Sequence, residues 1–244
     1  GVQTCALPIS GNPYAKLVVG RLEFDYHLQP DPCPTREGAE RDAKAARDTV
    51  AFFRRHQVRV VNMSWGGDVR SIEGALEQCG LGKTPEDRKA TAREYFEISR
   101  KALTQAFAGA PEILFVAAAG NSNNDPNFVE DLPAAIELPN VLTVGAVDLA
   151  GDEASFTSYG SVVKVHANGY QVESFLPGGK RVALSGTSMA APQVTGLAAK
   201  LLAVNPALRP LDLVRIITET GDRTADGRRN LMNPKRRSEE HTSE

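Results

Sequence analysis

The chain has 244 residues, of which 41% are hydrophobic and 24% are charged, and its formal net charge at pH 7 is -2. This length and composition are typical of one soluble globular domain with a sizeable core. The small net charge gives no reason to expect nucleic acid or an anionic membrane as a partner. Three cysteines are too few for a fold built on disulfides. The longest apolar run, residues 113–119, is too short to span a bilayer.

Both ends of the chain resemble translated adapter DNA. The final residues, RSEEHTSE (237–244), can be encoded by AGATCGGAAGAGCACACGTCTGAA, and the reverse complement of that string reads QTCALPI in one frame, which is residues 3–9. Chance complementarity between two independent ends is very improbable. We therefore assign residues 1–9 and 237–244 to a sequencing-library adapter and residues 10–236 to a natural domain. Cys5 is then not native, and the true N-terminus, with any signal peptide, is expected to be missing.

The first half of the natural domain predicts two strands with a helix between them. Residues 16–22 predict a short buried strand, and the proline-rich residues 30–38 predict a loop. A helix is predicted from Glu37 to Gln57. Residues 58–63 predict a strand that ends in a turn, SWGG (64–67). The inward stripe of the helix is expected at Ala39, Ala43, Ala46, Val50 and Phe53.

The middle of the chain predicts a long helix followed by two strands. Thr84 as the cap, with Pro85 at the first position, predicts a helix start, and the helix runs to about Phe107. Strands are predicted at 112–121 and 140–148. Alternating strands and helices predict an α/β fold with a mostly parallel sheet covered on both faces. The inward stripe of the helix is expected at Tyr95, Ile98, Ala102 and Ala106.

The pattern after residue 150 is turn-rich and irregular until two final helices. One helix is predicted from Ser188 to about Val204, and the last from about Leu211 to Gly221. The chain shows no internal repeat and no domain linker. The first of these helices is expected to bury Ala190, Val194, Leu197 and Leu201.

Three turns are expected at the carboxyl ends of strands, where sites form in such sheets. They are SWGG (64–67), AAAGNSNN (117–124) and GTSMAAP (186–192). Ser188 stands at a helix N-terminus, whose positive partial charge favours a nearby oxyanion, although a Ser there is often a simple cap. The stretch lacks the second glycine of the α/β-hydrolase nucleophile elbow, which disfavours that class.

The other two turns have functional and ordinary interpretations. Asn121 is a neutral amide that can donate to a developing oxyanion, but Gly-Asn is also ordinary turn chemistry. The two glycines of SWGG leave backbone open for pairing with an extended peptide. The alternative for SWGG is a turn with a partly buried Trp65.

These motifs, with VVNM, TVGAVD and their order along the chain, resemble the subtilisin-like serine proteases, the subtilases of peptidase family S8. The resemblance covers nearly all of residues 13–236. It implies a three-layer subtilisin-like fold with a mostly parallel sheet flanked by helices, incomplete at the N-terminal side. It implies Ser188 as the nucleophile of an endopeptidase, with Asn121 and the Ser188 backbone N–H as the oxyanion hole. It also implies substrate pairing along Ser64, Trp65 and Gly66, and a wall of the pocket for the residue before the cut at Ala118, Ala119 and Gly120.

The chain departs from the family pattern in places that are not catalytic. The segment after Gly67 carries an added charged helix. HANG (166–169) stands where the family usually has Ala-Pro-Gly, and Gln193 stands where it usually has His. Neither position threatens the mechanism that the resemblance implies.

The family's base is the feature that the sequence lacks. Subtilases carry their Asp in a D-[ST]-G turn and their His in an HGT turn, and none of His27, His56, His166 and His241 is followed by Gly-Thr. The resemblance therefore implies that both residues lie upstream of this fragment, which would be inactive alone. The alternatives are a non-catalytic, peptide-binding subtilase-like domain and the sedolisins. The sedolisins are disfavoured because they place Asp where this chain has Asn121.

Cofactors and partners are expected from the same resemblance. Catalysis requires no cofactor and no metal is assigned. Subtilases often bind calcium, but the oxygen-rich residues 121–127 show no clear ligand spacing. The expected partners are polypeptide substrates, with no nucleic acid and no membrane segment, and the full-length parent is expected to be a monomer. Secreted or periplasmic localisation is implied, and whether Cys33 and Cys79 pair is left open.

Overall fold

A computed structural model of the chain describes residues 15–20, 33–176 and 178–233. Strands and helices alternate through most of this range. In chain order the elements are α1 (Arg36–Arg55), β1 (Val60–Met63), α2 (Val69–Gln78), α3 (Pro85–Ala108), β2 (Leu114–Ala118), α4 (Pro126–Val129), β3 (Val141–Val147), β4 (Val163–Asn168), β5 (Val172–Phe175), β6 (Arg181–Leu184), α5 (Thr187–Val204), α6 (Pro210–Glu219), β7 (Asp222–Arg223) and β8 (Asn230–Leu231).

The main sheet is mostly parallel and has the strand order β1-β2-β3-β4-β8-β7. Its strands pair in parallel except for β7 and β8, which are antiparallel. Strands β5 and β6 form a separate antiparallel hairpin. The register sets Met63 beside Ala117 and Ala118 beside Val144. The carboxyl ends of β1, β2 and β3 therefore meet at one edge of the sheet.

Helices cover both faces of this sheet. On one face Leu114 and Val116 pack with α5 and α6, and on the other Phe115 and Ala117 pack with α1, α2 and α3. Every side chain of β2 is buried, as expected for a central strand of a parallel sheet. The predicted α/β architecture, a mostly parallel sheet flanked by helices, is therefore confirmed.

The helix starts follow the predicted capping chemistry. The Thr84 hydroxyl accepts a hydrogen bond from the Asp87 backbone N–H at 3.2 Å, and Pro85 occupies the first helical position of α3. In α1 the predicted stripe is buried except for Ala39, which is half-buried. The stripe predicted for α5 is buried throughout.

The stripe predicted for α3 is wrong in part. Tyr95, Ile98 and Ala106 are only half-buried. The helix packs against both α1 and α2. Its buried face is therefore wider than a single stripe facing the sheet, and it is centred on other residues. The buried residues are Ala92, Phe96, Ala102, Leu103 and Phe107.

Other differences from the predictions lie in short or exposed segments. Residues 16–20 form no strand, and Leu17 and Val19 stay 49% and 62% exposed, so the apolar run alone is not enough. The helix α1 begins inside the predicted loop 30–38. Strands β4, β5 and β6 fall in the segment that the sequence left irregular. Residues 21–22 of the predicted strand lie outside the described residues.

A disulfide joins Cys33, just before α1, to Cys79, which ends α2. This answers the pairing question that the sequence left open. Among the residues described, no helix combines the length and apolarity needed to cross a bilayer.

Candidate active site

The three turns predicted to form a site lie together at the edge where β1 and β2 end. The Ser64 hydroxyl donates to the Ser188 carbonyl at 2.9 Å, and the Ser188 hydroxyl donates to the Ser64 carbonyl at 3.4 Å. The Gly120 backbone N–H donates to the Thr187 hydroxyl at 3.1 Å. These contacts bring the ends of β1 and β2 against the start of α5.

The start of α5 is capped from outside the helix. Its cap residue, Gly186, has no side chain to accept a hydrogen bond. The Asn121 Oδ1 atom accepts the Thr187 backbone N–H at 2.8 Å instead. Ser188 therefore does not serve as the cap. Its own backbone N–H has no hydrogen-bond partner within the described part of the chain, as is usual for the first turn of a helix.

The contact with α5 also orients the Asn121 amide. A backbone N–H can only donate, so the amide oxygen must be the atom that faces Thr187. The Thr187 hydroxyl donates to the same oxygen at 3.1 Å. The Nδ2 atom makes no hydrogen bond to any residue that the structure describes. Two free donors, Asn121 Nδ2 and the Ser188 N–H, result at the positive end of α5.

Two polar residues that the sequence analysis did not single out hold this arrangement. Thr187 is fully buried, and its hydroxyl links Gly120 to Asn121. Asn62 donates to the Ser64 hydroxyl at 3.0 Å and accepts from Thr195 of α5 at 3.3 Å. A signal for Asn62 was present, since a polar residue inside the apolar strand VVNM needs partners.

The predicted substrate-binding residues differ in exposure. Trp65 is 39% exposed and lines a small apolar cavity of about 70 Å³ between β1 and α1. The side chains of Ala118 and Ala119 are buried. Gly120 follows them at the end of β2, half-buried and with a positive φ of 103°. Gly66 is exposed opposite.

One carboxylate lies between these two glycines. A Cβ placed on Gly66 would come within 2.9 Å of Asp131 Oδ1, and one placed on Gly120 within 2.7 Å of Asp131 Oδ2. Gly67 and Leu132 exchange two backbone hydrogen bonds of 3.0 Å, which holds Asp131 in place. Burial, with the nearby charge of Asp68, raises the pKa of Asp131 to about 6, against the opposing effect of the Gly67 backbone N–H. Sequence reasoning missed Asp131 because it lies in an irregular loop.

The sequence profile of the subtilase family matches residues 32–236. The chain belongs to the subtilase family. The predicted family is thereby confirmed.

Relatives of this subtilase match it only over part of their own length. A subtilase-type proteinase of Saccharomyces cerevisiae is 35% identical over 186 residues, which cover 72% of this chain and 37% of the yeast protein. A subtilisin-like serine protease of Penicillium rubens is 35% identical over 142 residues, covering 55% of this chain and 35% of that protein. The crystal structure of a cold-adapted subtilisin-like serine proteinase superposes with a TM-score of 0.54 at 26% identity, covering 78% of this chain and 60% of that one. The chain thus spans about a third of these two curated relatives.

In the part of this subtilase that the structure describes, no histidine forms a hydrogen bond with the Ser188 hydroxyl. His56 ends α1 and contacts the Phe52 ring, with ring centroids 4.2 Å apart. His166 is buried in β4, where its Nδ1 accepts the Asn230 backbone N–H at 3.3 Å. Burial, together with the nearby charge of Arg229, lowers the pKa of His166 to about 4. His27 and His241 lie outside the described residues.

The oxygen-rich turn after Asn121 is occupied by local contacts. The Ser158 hydroxyl donates to Asn124 Oδ1 at 2.9 Å, and Asp125 Oδ1 accepts the Asn127 backbone N–H at 2.9 Å. Over the residues that the structure describes, no group of three or more His, Cys, Asp or Glu side chains is placed to hold a metal ion.

Proposed function

We propose that the protein is a serine endopeptidase that cleaves peptide bonds through an acyl-enzyme at Ser188. The observation that carries this proposal is the pair of free donors beside the Ser188 hydroxyl, Asn121 Nδ2 and the Ser188 backbone N–H, at the start of α5. Membership of the subtilase family supports the same reaction.

The reaction uses each of these groups once. The Ser188 hydroxyl gives its proton to a base, and its oxygen bonds to the carbonyl carbon of the substrate peptide. The carbonyl oxygen becomes an oxyanion, which accepts hydrogen bonds from the two free donors and lies at the positive end of α5. The amine product leaves with the proton, and water then hydrolyses the ester to free Ser188.

The substrate lies extended between the ends of β1 and β2. Ser64, Trp65 and Gly66 form one side, where substrate backbone can pair with exposed main chain. The half-buried Gly120 forms the other side, with Ala118 and Ala119 buried behind it. This arrangement places a substrate carbonyl beside Ser188, because both segments already contact the start of α5.

The base comes from outside the described residues. The Ser188 hydroxyl donates to the Ser64 carbonyl, which is too weak a base to take its proton. We place the catalytic Asp and His upstream, as the family order implies, and expect the 244-residue chain alone to be inactive. A disulfide between Cys33 and Cys79 supports a secreted or periplasmic protein, since disulfides persist in oxidising compartments. A monomeric parent belongs to the same proposal.

A serine-directed phosphonate tests the nucleophile. In the full-length parent the reagent should label Ser188 and leave no label after Ser188→Ala, while Ser185→Ala should be labelled normally. Mass spectrometry on the digested protein locates the label. Labelling at Ser64 or Ser185 would overturn the assignment. A folded parent that binds peptides but is never labelled would instead indicate a non-catalytic, peptide-binding domain.

A further inference from the structure

Resting on the proposed function, we propose that Asp131 makes this site select substrates with Lys or Arg immediately before the cleaved bond. The cationic side chain would enter between Gly66 and Gly120 and meet the Asp131 carboxylate.

The first observation is position. The Asp131 carboxylate lies between the two segments that flank Ser188, with one oxygen against Gly66 and the other against Gly120. Any side chain at either glycine would collide with the carboxylate, so both positions must stay small for Asp131 to lie there. A substrate side chain that enters between these segments therefore reaches the carboxylate first.

The second observation is an unsatisfied acceptor. Asp131 Oδ1 is buried and has no hydrogen-bond partner among the described residues. A buried acceptor without a partner is costly in a folded protein, and such atoms are rare unless a ligand or water completes them. The N–H groups of an ammonium or guanidinium would supply the missing donor.

The third observation is uncompensated negative charge. Within the described residues no Lys or Arg forms an ion pair with Asp131, whereas its neighbour Glu130 is paired with Arg93. Asp68 adds a second carboxylate nearby and uses its own Oδ1 to cap α2 at the Ser71 backbone N–H, 2.8 Å away. The local field thus attracts a cation and disfavours an acidic side chain. With a pKa near 6, Asp131 is mostly ionised at neutral pH.

A matched pair of peptides tests the selectivity in the full-length parent. The two peptides differ only in Lys or norleucine before the cleaved bond, and the measured quantity is the ratio of their kcat/KM values. We expect the ratio to favour Lys at pH 8 and Asp131→Asn to lower it about 10- to 100-fold, as for loss of a hydrogen bond to a charged group. Glu130→Gln removes the same charge one residue away and should leave the ratio unchanged. Asp131→Glu keeps a carboxylate at the site and should retain part of the preference for Lys. An active enzyme whose ratio ignores Asp131→Asn would overturn the inference.

A binding measurement separates this inference from the proposed reaction. Trp65 is the single tryptophan of the 244 residues and adjoins Gly66, so the part of the parent's tryptophan fluorescence that Trp65→Phe removes reports peptides at this site. Peptides ending in Lys or norleucine are titrated into the Ser188→Ala parent, with and without Asp131→Asn. Tighter Lys binding that Asp131→Asn abolishes supports the subsite even if no peptide is ever cleaved. Equal binding of both peptides counts against the subsite whatever the enzyme does.

Discussion

Asn121 is the residue at which the structure makes the sharpest catalytic prediction. Its amide oxygen accepts two hydrogen bonds from Thr187, so its Nδ2 donor is left without a partner among the described residues. Asn121→Ala in the full-length parent should lower kcat about 10²- to 10³-fold with little change in KM, because the donor acts mainly on the transition state. That magnitude is taken from an oxyanion-hole amide of subtilisin, a member of the same family, and is not calculated from this structure.

Asn127→Ala is the matched control for that experiment. Asn127 is exposed in the short helix α4, which follows Asn121 in the chain, so its loss should leave both kinetic constants unchanged. A large rise in KM with unchanged kcat for Asn121→Ala would remove Asn121 from the oxyanion hole.

At the residue scale the sequence predicted part of the site. Ser188 and Asn121 could be found because each stands in a short motif next to a predicted element. Thr187 and Asp131 could not, because their roles depend on contacts with residues far along the chain. Asn62 gave a signal as a polar residue inside an apolar strand, but that signal does not name its partners. Asp131, for example, matters only because Gly66 and Gly120 come together around it.

At the scale of the elements, the contact between β4 and β8 includes a titratable residue, His166. His166 of β4 accepts the Asn230 N–H through its ring and the Met232 N–H through its carbonyl, at 3.3 and 2.8 Å. The folded protein holds the pKa of His166 near 4, below the value of about 6.5 in an unfolded chain. The unfolded state therefore binds the proton first. The stability that the neutral imidazole contributes is complete above pH 6.5 and is lost as pH falls towards 4.

Chemical unfolding between pH 4 and 7 measures this contribution. We expect a loss of up to about 3 kcal/mol across the window, and His166→Asn should flatten the slope. His56→Asn, at an exposed position, should not. The comparison belongs in an Asp131→Asn background. The raised pKa of Asp131 makes the folded state bind a proton first, so its contribution falls as pH rises through the same window. An unchanged slope in His166→Asn would contradict the prediction.

The elements that the sequence predicted well are the long ones with a clear period and a cap. The helices α1, α3 and α5 repeat their apolar pattern over several turns, which no strand pattern imitates. The strands β5 and β6 are only four residues long and partly exposed, so they are too short to show a clear alternation of apolar and polar residues. Residues 16–20 show the reverse failure, because an apolar run predicts a strand only where a neighbouring strand can pair with it.

For the whole molecule, the disulfide is the constraint with the longest reach. Cys33 and Cys79 are 46 residues apart and enclose α1, β1 and α2. In the chain-entropy account, closing a loop of this length lowers the conformational entropy of the unfolded state and so raises its free energy by about 4 kcal/mol. Replacing both cysteines by Ser should therefore lower the free energy of unfolding by up to about that amount, measured by urea denaturation. Reduction of the native protein with dithiothreitol should give the same loss, and no loss in either experiment would show that the bond is not formed.

The side chain of Asn121 affects both the stability of the protein and the rate of the proposed reaction. Its oxygen caps the start of α5, and in the proposed reaction its nitrogen donates to the oxyanion. Asp at this position would close the helix at least as well, since a carboxylate is favoured at a helix N-terminus, but it would hold negative charge where negative charge must form. Selection for heat resistance alone would accept Asn121→Asp, with a higher Tm and a lost kcat. Only selection for cleavage keeps the neutral amide there.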